Sequence, residues 1–209
     1  MAVVGESECR EVAPCAAGDW GDLPVQGDTQ YVDGAYAGTD SVGTMDRPWR
    51  TIQAGIDAAS AGAIVAVAAG SYPQDLRITG QPVRLWGRCP GLVEVVGGVV
   101  APAAIEIGPG ASGAEVRGLA LRGGALGLLV HGAENVLLAT LWVHDTAMPG
   151  IYLNGDTAAT SVVLQDPLVE AAQDVGILML GAQATVDRLV VRDTLTNAAA
   201  LGSPSHARW

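Results

Sequence analysis

Four short apolar segments between residues 104 and 179 decide the fold, because they recur at nearly constant spacing. They begin at positions 104, 127, 150 and 176, so successive starts lie 23, 23 and 26 residues apart. Each is bounded by Gly, Pro, Asn or Asp, which predicts strands rather than helices. The four segments are Ala104-Ile105-Glu106-Ile107, Gly127-Leu128-Leu129-Val130, Gly150-Ile151-Tyr152-Leu153 and Gly176-Ile177-Leu178-Met179.

A second set of apolar segments keeps step with the first. The last apolar members lie at positions 121, 143, 169 and 191, which are 22, 26 and 22 residues apart. One insertion in the third repeat therefore shifts both sets alike. A period of 22 to 26 residues with strands and no helix predicts the coils of a parallel β-helix, stacked about 4.8 Å apart. Leucine-rich repeats have a similar period, but their fixed Asn and alternating helix are missing. The second set is Leu119-Ala120-Leu121, Leu141-Trp142-Val143, Leu168-Val169 and Leu189-Val190-Val191.

Alternation along the strands predicts which side chains point inward. One inward column contains Ile105, Leu128, Ile151 and Ile177, and another contains Ile107, Val130, Leu153 and Met179. Before the coils, residues 51–60 carry apolar residues at helical spacing, and Gly62 is placed to end that helix. We expect this short α-helix to cap the open N-terminal end of the core, which gives an all-β, right-handed parallel β-helix with one capping helix.

The predicted organisation has four parts. Residues 1–28 form an irregular leader, and residues 29–62 hold a strand, a loop and the capping helix. Residues 63–197 form the coils, and residues 198–209 are irregular or truncated. Because the coil that follows Val191 stops midway, end-to-end association through an uncapped C-terminal coil is a further expectation.

Length and charge restrict the class of protein. The chain has 209 residues, enough for one domain, and a net charge of −11. All 11 basic residues are arginine. Such a composition argues against binding to nucleic acids or to an anionic membrane surface. The best apolar run, residues 63–69, is far shorter than the roughly 18 residues that a membrane span needs.

The chain has three cysteines, Cys9, Cys15 and Cys89. Cys9 and Cys15 could form a disulfide within the leader, or Cys89 could pair with either of them. A zinc site is not expected, because no His lies near them and three sulfurs are an incomplete set. The cysteines favour an oxidising compartment. Residues 1–20 lack the basic start and apolar stretch of a signal peptide, so we expect a removed signal or a fragment.

Several short sequence motifs between residues 20 and 195 carry a family resemblance. They resemble bacterial right-handed parallel β-helix proteins of the pectate-lyase-like superfamily, including secreted and cell-surface members. The resemblance implies the fold and an extracellular or surface location, and leaves the activity open. The motifs are Trp20-Gly21-Asp22-Leu23-Pro24, Tyr31-Val32-Asp33, Arg47-Pro48-Trp49-Arg50-Thr51-Ile52-Gln53-Ala54, Ala66-Val67-Ala68-Ala69-Gly70-Ser71-Tyr72, Pro82-Val83-Arg84-Leu85-Trp86-Gly87 and Gly87-Arg88-Cys89-Pro90.

The resemblance also says which chemistry to look for. A lyase of this fold uses Ca²⁺ held by clustered acids, together with a Lys or Arg base. The hydrolases of this fold carry Asn-Thr-Asp, Asp-Asp, Gly-His-Gly and Arg-Ile-Lys motifs, and this chain has none of them. No cofactor is expected, with Ca²⁺ as the one possible exception. Its candidate ligands are Asp33, Asp40 and Asp46, although Asp in a Gly-rich loop is also ordinary turn chemistry.

One predicted outward column has polar side chains that fit acid–base chemistry. Arg122, His144, Glu170 and Arg192 each follow the last apolar residue of the second set, and Asp145 and Asp193 come next in two of the coils. A His beside carboxylates and guanidinium groups could catalyse proton transfer on an acidic sugar. The alternative is a surface salt-bridge ladder, which stacking alone favours.

A second outward column is mostly apolar and predicts a contact surface. It contains Glu106, Leu129, Tyr152 and Leu178, with His131 and Asn154 close by. Tyr152 could stack on a sugar ring. The alternative is that the leader or a loop covers it. The sequence therefore favours a secreted or surface protein that binds a glycan or another partner. The alternatives are a polysaccharide lyase or glycoside hydrolase, and a non-catalytic spacer.

Overall fold

The computed structural model describes residues 15–196 and is a right-handed parallel β-helix with one short helix. Each full coil contributes one strand to each of three parallel sheets. The elements in chain order are β1 (Gln30–Val32), α1 (Ile52–Ala58), β2 (Ile64–Val67), β3 (Gly70–Tyr72), β4 (Leu76–Ile78), β5 (Arg84–Gly87), β6 (Val93–Gly97), β7 (Ala103–Ile107), β8 (Glu115–Arg117), β9 (Ala120–Gly123), β10 (Leu126–His131), β11 (Val136–Ala139), β12 (Trp142–His144), β13 (Ile151–Asn154), β14 (Ser161–Gln165), β15 (Leu168–Glu170), β16 (Ile177–Leu180), β17 (Gln183–Asp187) and β18 (Val190–Arg192).

The three sheets are named here by letter. In spatial order, sheet A is β1-β2-β5-β8-β11-β14-β17, sheet B is β4-β7-β10-β13-β16, and sheet C is β3-β6-β9-β12-β15-β18. The first apolar set of the sequence forms sheet B, where Leu128 pairs with both Ile105 and Ile151. The second set forms sheet C, where Val143 pairs with Leu121 and Val169. The predicted registers of these two sheets are confirmed.

Sheet A forms a third ladder that the two-set interpretation missed. Its inward residues Val116, Leu138, Leu164 and Val186 also lie 22, 26 and 22 positions apart and pair in register. Only a bend separates each of these strands from the next strand, in sheet C. In one coil, β11 ends at Ala139 and β12 begins at Trp142, and Thr140 between them has a φ of 50°. Positive φ in a non-glycine residue is strained, so the stacked coils hold this corner in place.

Helix α1 caps the N-terminal end of the core, as the sequence predicts. Ile52 and Ile56 are buried and belong to the same apolar cluster as Val32. Thr51 is the N-cap, and its hydroxyl accepts a hydrogen bond from the Ala54 amide. Burying each isoleucine stabilises the end by roughly 1.5–3 kcal/mol. The helix is shorter than the predicted 51–60, because Ala59 is already extended, and Gly62 lies in the following turn rather than at the helix end.

The described part of the leader packs on the outer face of sheet A. A disulfide joins Cys15 to Cys89, and the Arg88 guanidinium donates to the Ala16 carbonyl oxygen. Trp20 packs edge-on against Tyr31, with ring centroids 5.0 Å apart. Of the pairings that the sequence left open, Cys15–Cys89 is therefore the one formed. Cys9 lies outside the described residues.

The last described coil is much less buried than the coils before it. Met179 is 50% exposed and Val191 is 42% exposed, although both occupy inward columns. Their partners one coil earlier, Leu153 and Val169, are fully buried. The segment predicted to be irregular or truncated, residues 198–209, lies outside the described residues. Within residues 15–196, no helix has the length and apolar character needed to cross a membrane.

Candidate functional site

The outer face of sheet B carries one continuous column of side chains. Strand pairing places Arg77, Glu106, Leu129, Tyr152 and Leu178 side by side, one from each coil. Adjacent members are separated by the strand spacing of about 4.8 Å. The column is polar at the end near helix α1 and apolar towards the other end.

The polar end is a fixed ionic group. The Arg77 Nε donates to Glu106 Oε2 at 2.9 Å, and His131 Nε2 lies 2.9 Å from Glu106 Oε1. The Glu106 side chain is only 13% exposed, so these two partners hold its carboxylate in place. Gln53 of helix α1 hydrogen-bonds both to the Arg77 amide and to its carbonyl oxygen. A cavity of about 510 Å³ opens beside Arg77 and is also lined by Asp57.

The apolar end is open to a ligand. Leu129, Tyr152 and Leu178 are all partly exposed. The described part of the leader, residues 15–28, packs on sheet A and does not cover this surface. Within residues 15–196 the Tyr152 hydroxyl makes no hydrogen bond, so its donor and acceptor are free. Asn154 lies at the next outward position, and its Oδ1 accepts the Asp156 amide in a turn.

The sheet C column brings together the predicted catalytic candidates, but it buries the histidine. His144 pairs in register with Arg122 and Glu170, and Arg192 follows Glu170. His144 was expected to point into solvent, yet it is only 7% exposed. The cause is Trp142, whose ring stacks on the imidazole with centroids 4.0 Å apart. Residues two apart on a strand share a face, and here the larger ring covers the smaller one.

The charges of this column neutralise one another across the coils. Arg122 donates to Glu94 Oε1 at 2.9 Å. Glu94 was not among the site residues predicted from the sequence. Arg192 donates to Glu170 Oε2 at 2.6 Å, and the Trp142 indole donates to Glu170 Oε1. These contacts match the salt-bridge ladder that was the alternative interpretation.

The buried histidine has one engaged and one unengaged ring nitrogen. His144 Nδ1 lies 2.8 Å from Asp145 Oδ2, whereas Nε2 is 3.7 Å from Glu94 Oε1. Among the described residues Nε2 makes no hydrogen bond, and it is buried from solvent. A substrate cannot reach this nitrogen in the observed conformation. The remaining candidate, Asp193, is exposed and lies 3.9 Å from the Arg192 Nε.

Two of the three calcium candidates, Asp33 and Asp40, are engaged in local contacts. Asp33 Oδ1 accepts the Ala35 amide in a turn. Asp40 Oδ1 accepts the Tyr36 hydroxyl at 2.7 Å, and this hydrogen bond lowers the pKa of the Asp40 carboxyl, with a smaller contribution from Arg47. Asp46 is exposed. In the described range, 15–196, the structure brings no three His, Cys, Asp or Glu side chains together in an arrangement that could hold a metal ion.

Comparison with known proteins identifies the fold but no family. No family model matches the chain, and no curated protein matches it significantly. Among solved structures, it is similar to a pectin methylesterase in complex with a hexasaccharide. The TM-score is 0.56 at 13% identity, covering 74% of this chain and 54% of that one. The chain shares the β-helix fold of a pectin-active enzyme. It spans about half the length of that enzyme, and at this identity the likeness concerns the fold alone.

Proposed function

We propose that the protein binds a glycan along the outer face of sheet B. The observation that carries the proposal is the partly exposed run of Leu129, Tyr152 and Leu178, with a tyrosine hydroxyl at its centre that makes no hydrogen bond among the described residues. An aromatic ring between two aliphatic side chains can pack against the apolar face of a sugar ring, and its hydroxyl can bond to the sugar's edge. His131 and Asn154 flank this surface and supply polar groups.

The charge of the protein favours a neutral glycan. A net charge of −11 repels polyanions at long range. At the polar end of the column, Arg77 is already paired with Glu106 and offers no unneutralised cation. The structural neighbour was solved with a hexasaccharide, which supports a carbohydrate as the class of ligand for this fold.

We further propose that the protein is secreted or displayed on a cell surface. The support is the disulfide between Cys15 and Cys89, because disulfides persist in oxidising compartments and are rare in the cytosol. This location also gives access to extracellular glycans.

A polysaccharide lyase or hydrolase acting through the sheet C column is the second candidate. It is favoured by the contact between His144 and Asp145, a pair that could transfer protons. The burial of His144 Nε2 weighs against it. A spacer without a ligand is the third candidate, and it predicts no binding at either surface.

Binding to a panel of neutral and acidic oligosaccharides, measured by calorimetry, tests the proposal. We expect a neutral oligosaccharide to bind, and Tyr152→Ala to weaken it about tenfold, equivalent to about 1.4 kcal/mol. The matched control is Leu137→Ala, which truncates a partly exposed apolar residue on the outer face of sheet A. Equal binding by both variants, or no binding by the wild type, would reject the proposal.

The same panel separates binding from catalysis. Release of reducing or unsaturated ends would indicate turnover. If such turnover occurs and disappears in His144→Ala while binding is kept, the protein is an enzyme and the sheet C column is its site. Absence of both binding and turnover across the panel would favour the spacer.

A further inference from the structure

A second cavity lies on the other side of the β-helix, between the leader and sheet A. Its volume is about 300 Å³, which is at the lower end of small-molecule sites. Leu23 and Pro24 of the leader form one apolar wall. Arg88, Arg117 and Thr140 line the side formed by the coils. A space of this size accommodates a group as large as a single sugar.

Arg117 is held in an unusual way for a surface arginine. Its guanidinium carbon lies 3.4 Å from the centroid of the Trp86 ring. The indole is fixed in turn, because its Nε1 donates to Glu115 at 3.1 Å. Stacking covers the face of the guanidinium and leaves its N–H groups at the edge. Within residues 15–196 these groups make no hydrogen bond and no ion pair closer than 4 Å, and burial lowers the pKa of Arg117.

The surroundings of Arg117 contain more guanidinium groups than carboxylates. Five arginines elsewhere contact carboxylates: Arg47, Arg77, Arg122, Arg188 and Arg192. By contrast, Arg88 donates to the Ala16 carbonyl oxygen, and Arg84 donates to the Gly62 carbonyl oxygen and to Gln26. Two carboxylates lie nearby: Glu115, whose Oε2 accepts the Trp86 indole and whose charge also attracts Arg117, and Asp22, which lines the cavity. The protein has a net charge of −11, yet guanidinium groups are in local excess here. A bound anion would stabilise these partly buried cations.

We propose that this cavity, the leader pocket, binds a small carboxylate of about sugar size. The free edge of Arg117 matches the two oxygens of a carboxylate, which guanidinium groups bind in a bidentate manner. Leu23 and Pro24 contact the body of the ligand, and the Thr140 hydroxyl offers a further polar group. Because the pocket includes residues from both the leader and the coils, the ligand holds the leader against sheet A. This site is separate from the sheet B surface.

Titration with galacturonate at low ionic strength tests the proposal, with binding followed by calorimetry and by the fluorescence of the nearby tryptophans. Galactose is the neutral control for the ligand, and inorganic sulfate tests for an anion of any kind. We expect galacturonate to bind, galactose not to bind, and sulfate to bind more weakly. Arg117→Gln should weaken galacturonate binding at least tenfold. Arg50→Gln removes the charge of an exposed arginine outside the pocket and should leave galacturonate binding unchanged.

A second variant decides the result if Arg117→Gln disturbs folding. Asp22→Asn removes a negative charge from the pocket lining and keeps every arginine. Asp22 is exposed, so we expect this variant to fold and to bind galacturonate several-fold more tightly.

Several outcomes would overturn the proposal. They are no galacturonate binding by the wild type, unchanged binding in Asp22→Asn, or equal losses in Arg117→Gln and Arg50→Gln. Sulfate binding as tight as galacturonate would reject a site for sugar-sized carboxylates. Tyr152→Ala should not affect this titration, which keeps it distinct from glycan binding at sheet B.

Discussion

The two ends of the β-helix have the same columns of side chains but very different burial. At the N-terminal end, helix α1 covers the core, and the leader is fastened across sheet A by a disulfide. In the last described coil, Met179 continues the column of Leu153 yet is half-exposed. Within residues 15–196, β16 has a strand on one side only, and this one-sided packing leaves the inward Met179 half-exposed. We expect the free energy of unfolding to depend much more on the first coils than on the last.

A pair of core truncations should show the largest difference between the ends. Leu128 is fully buried between Ile105 and Ile151, so Leu128→Ala should lower the free energy of unfolding by about 2–5 kcal/mol. Met179→Ala should cost about 1 kcal/mol or less, because half of that side chain is already exposed. Equilibrium unfolding in urea measures both. Similar losses would mean that the last coil is as well packed as the centre.

Reducing the Cys15–Cys89 disulfide should have the next largest effect. The two cysteines are 74 positions apart, and a crosslink over such a loop stabilises by about 2–4 kcal/mol. We expect thermal unfolding to occur at a lower temperature under reducing conditions. A Cys9→Ser variant under oxidising conditions is the control, since it leaves this disulfide intact. A midpoint that does not respond to reductant would show that the disulfide adds little to the N-terminal end.

Tyr72 should give the smallest effect, visible as alkaline sensitivity of the first coil. Burial raises the pKa of its hydroxyl to about 12, and this hydroxyl donates to the Ala68 carbonyl oxygen at 2.9 Å. The pKa of Tyr72 in the folded protein lies above its unfolded value of 10.0. Its contribution to the free energy of unfolding is therefore complete below pH 10 and is lost as the pH rises towards 12. Tyr72→Phe should cost about 1 kcal/mol at pH 8 and weaken the alkaline loss of stability.

Urea unfolding at pH 8 and at pH 11 measures this dependence. The chain contains no lysine, so tyrosines make a large part of any titration in this range. Burial also raises the pKa of Tyr31, which leaves some dependence in the variant. Tyr152→Phe changes a partly exposed tyrosine and is the control. Identical pH dependence of the wild type and Tyr72→Phe would contradict the prediction.

Most of the fold could be predicted from the sequence, because coil length and strand alternation together determine register. The shared insertion before Leu168 was sufficient to align sheets B and C. The same spacing was present in Val116, Leu138, Leu164 and Val186, and a search for a third set in phase with the other two would have found sheet A. Its later strands escaped notice because only two residues, such as Thr140 and Leu141, separate each of them from the next strand of sheet C.

The site could be predicted only in part. Register shows that His144 and Glu170 are neighbours, but it cannot show that Trp142 covers the imidazole, since that depends on side-chain rotamers. Likewise, the unusual position of Arg117 results from stacking on Trp86 in the preceding coil. Trp142 and His144 lie two positions apart on one strand, whereas Trp86 and Arg117 are register partners 31 positions apart. In both cases the register makes the residues neighbours, and the choice of side-chain rotamer decides that they stack.

The regular spacing between hydrogen-bonded strands has a consequence for how the chain folds. Where both paired strands lie between β7 and β18, paired residues are 22 to 26 positions apart, which is about one tenth of the 209-residue chain. A relative contact order of about 0.1 is typical of helical proteins and lower than that of most all-β domains. Each coil can therefore add to a finished neighbour by closing a short loop, so folding can spread from the capped end in small steps of similar cost.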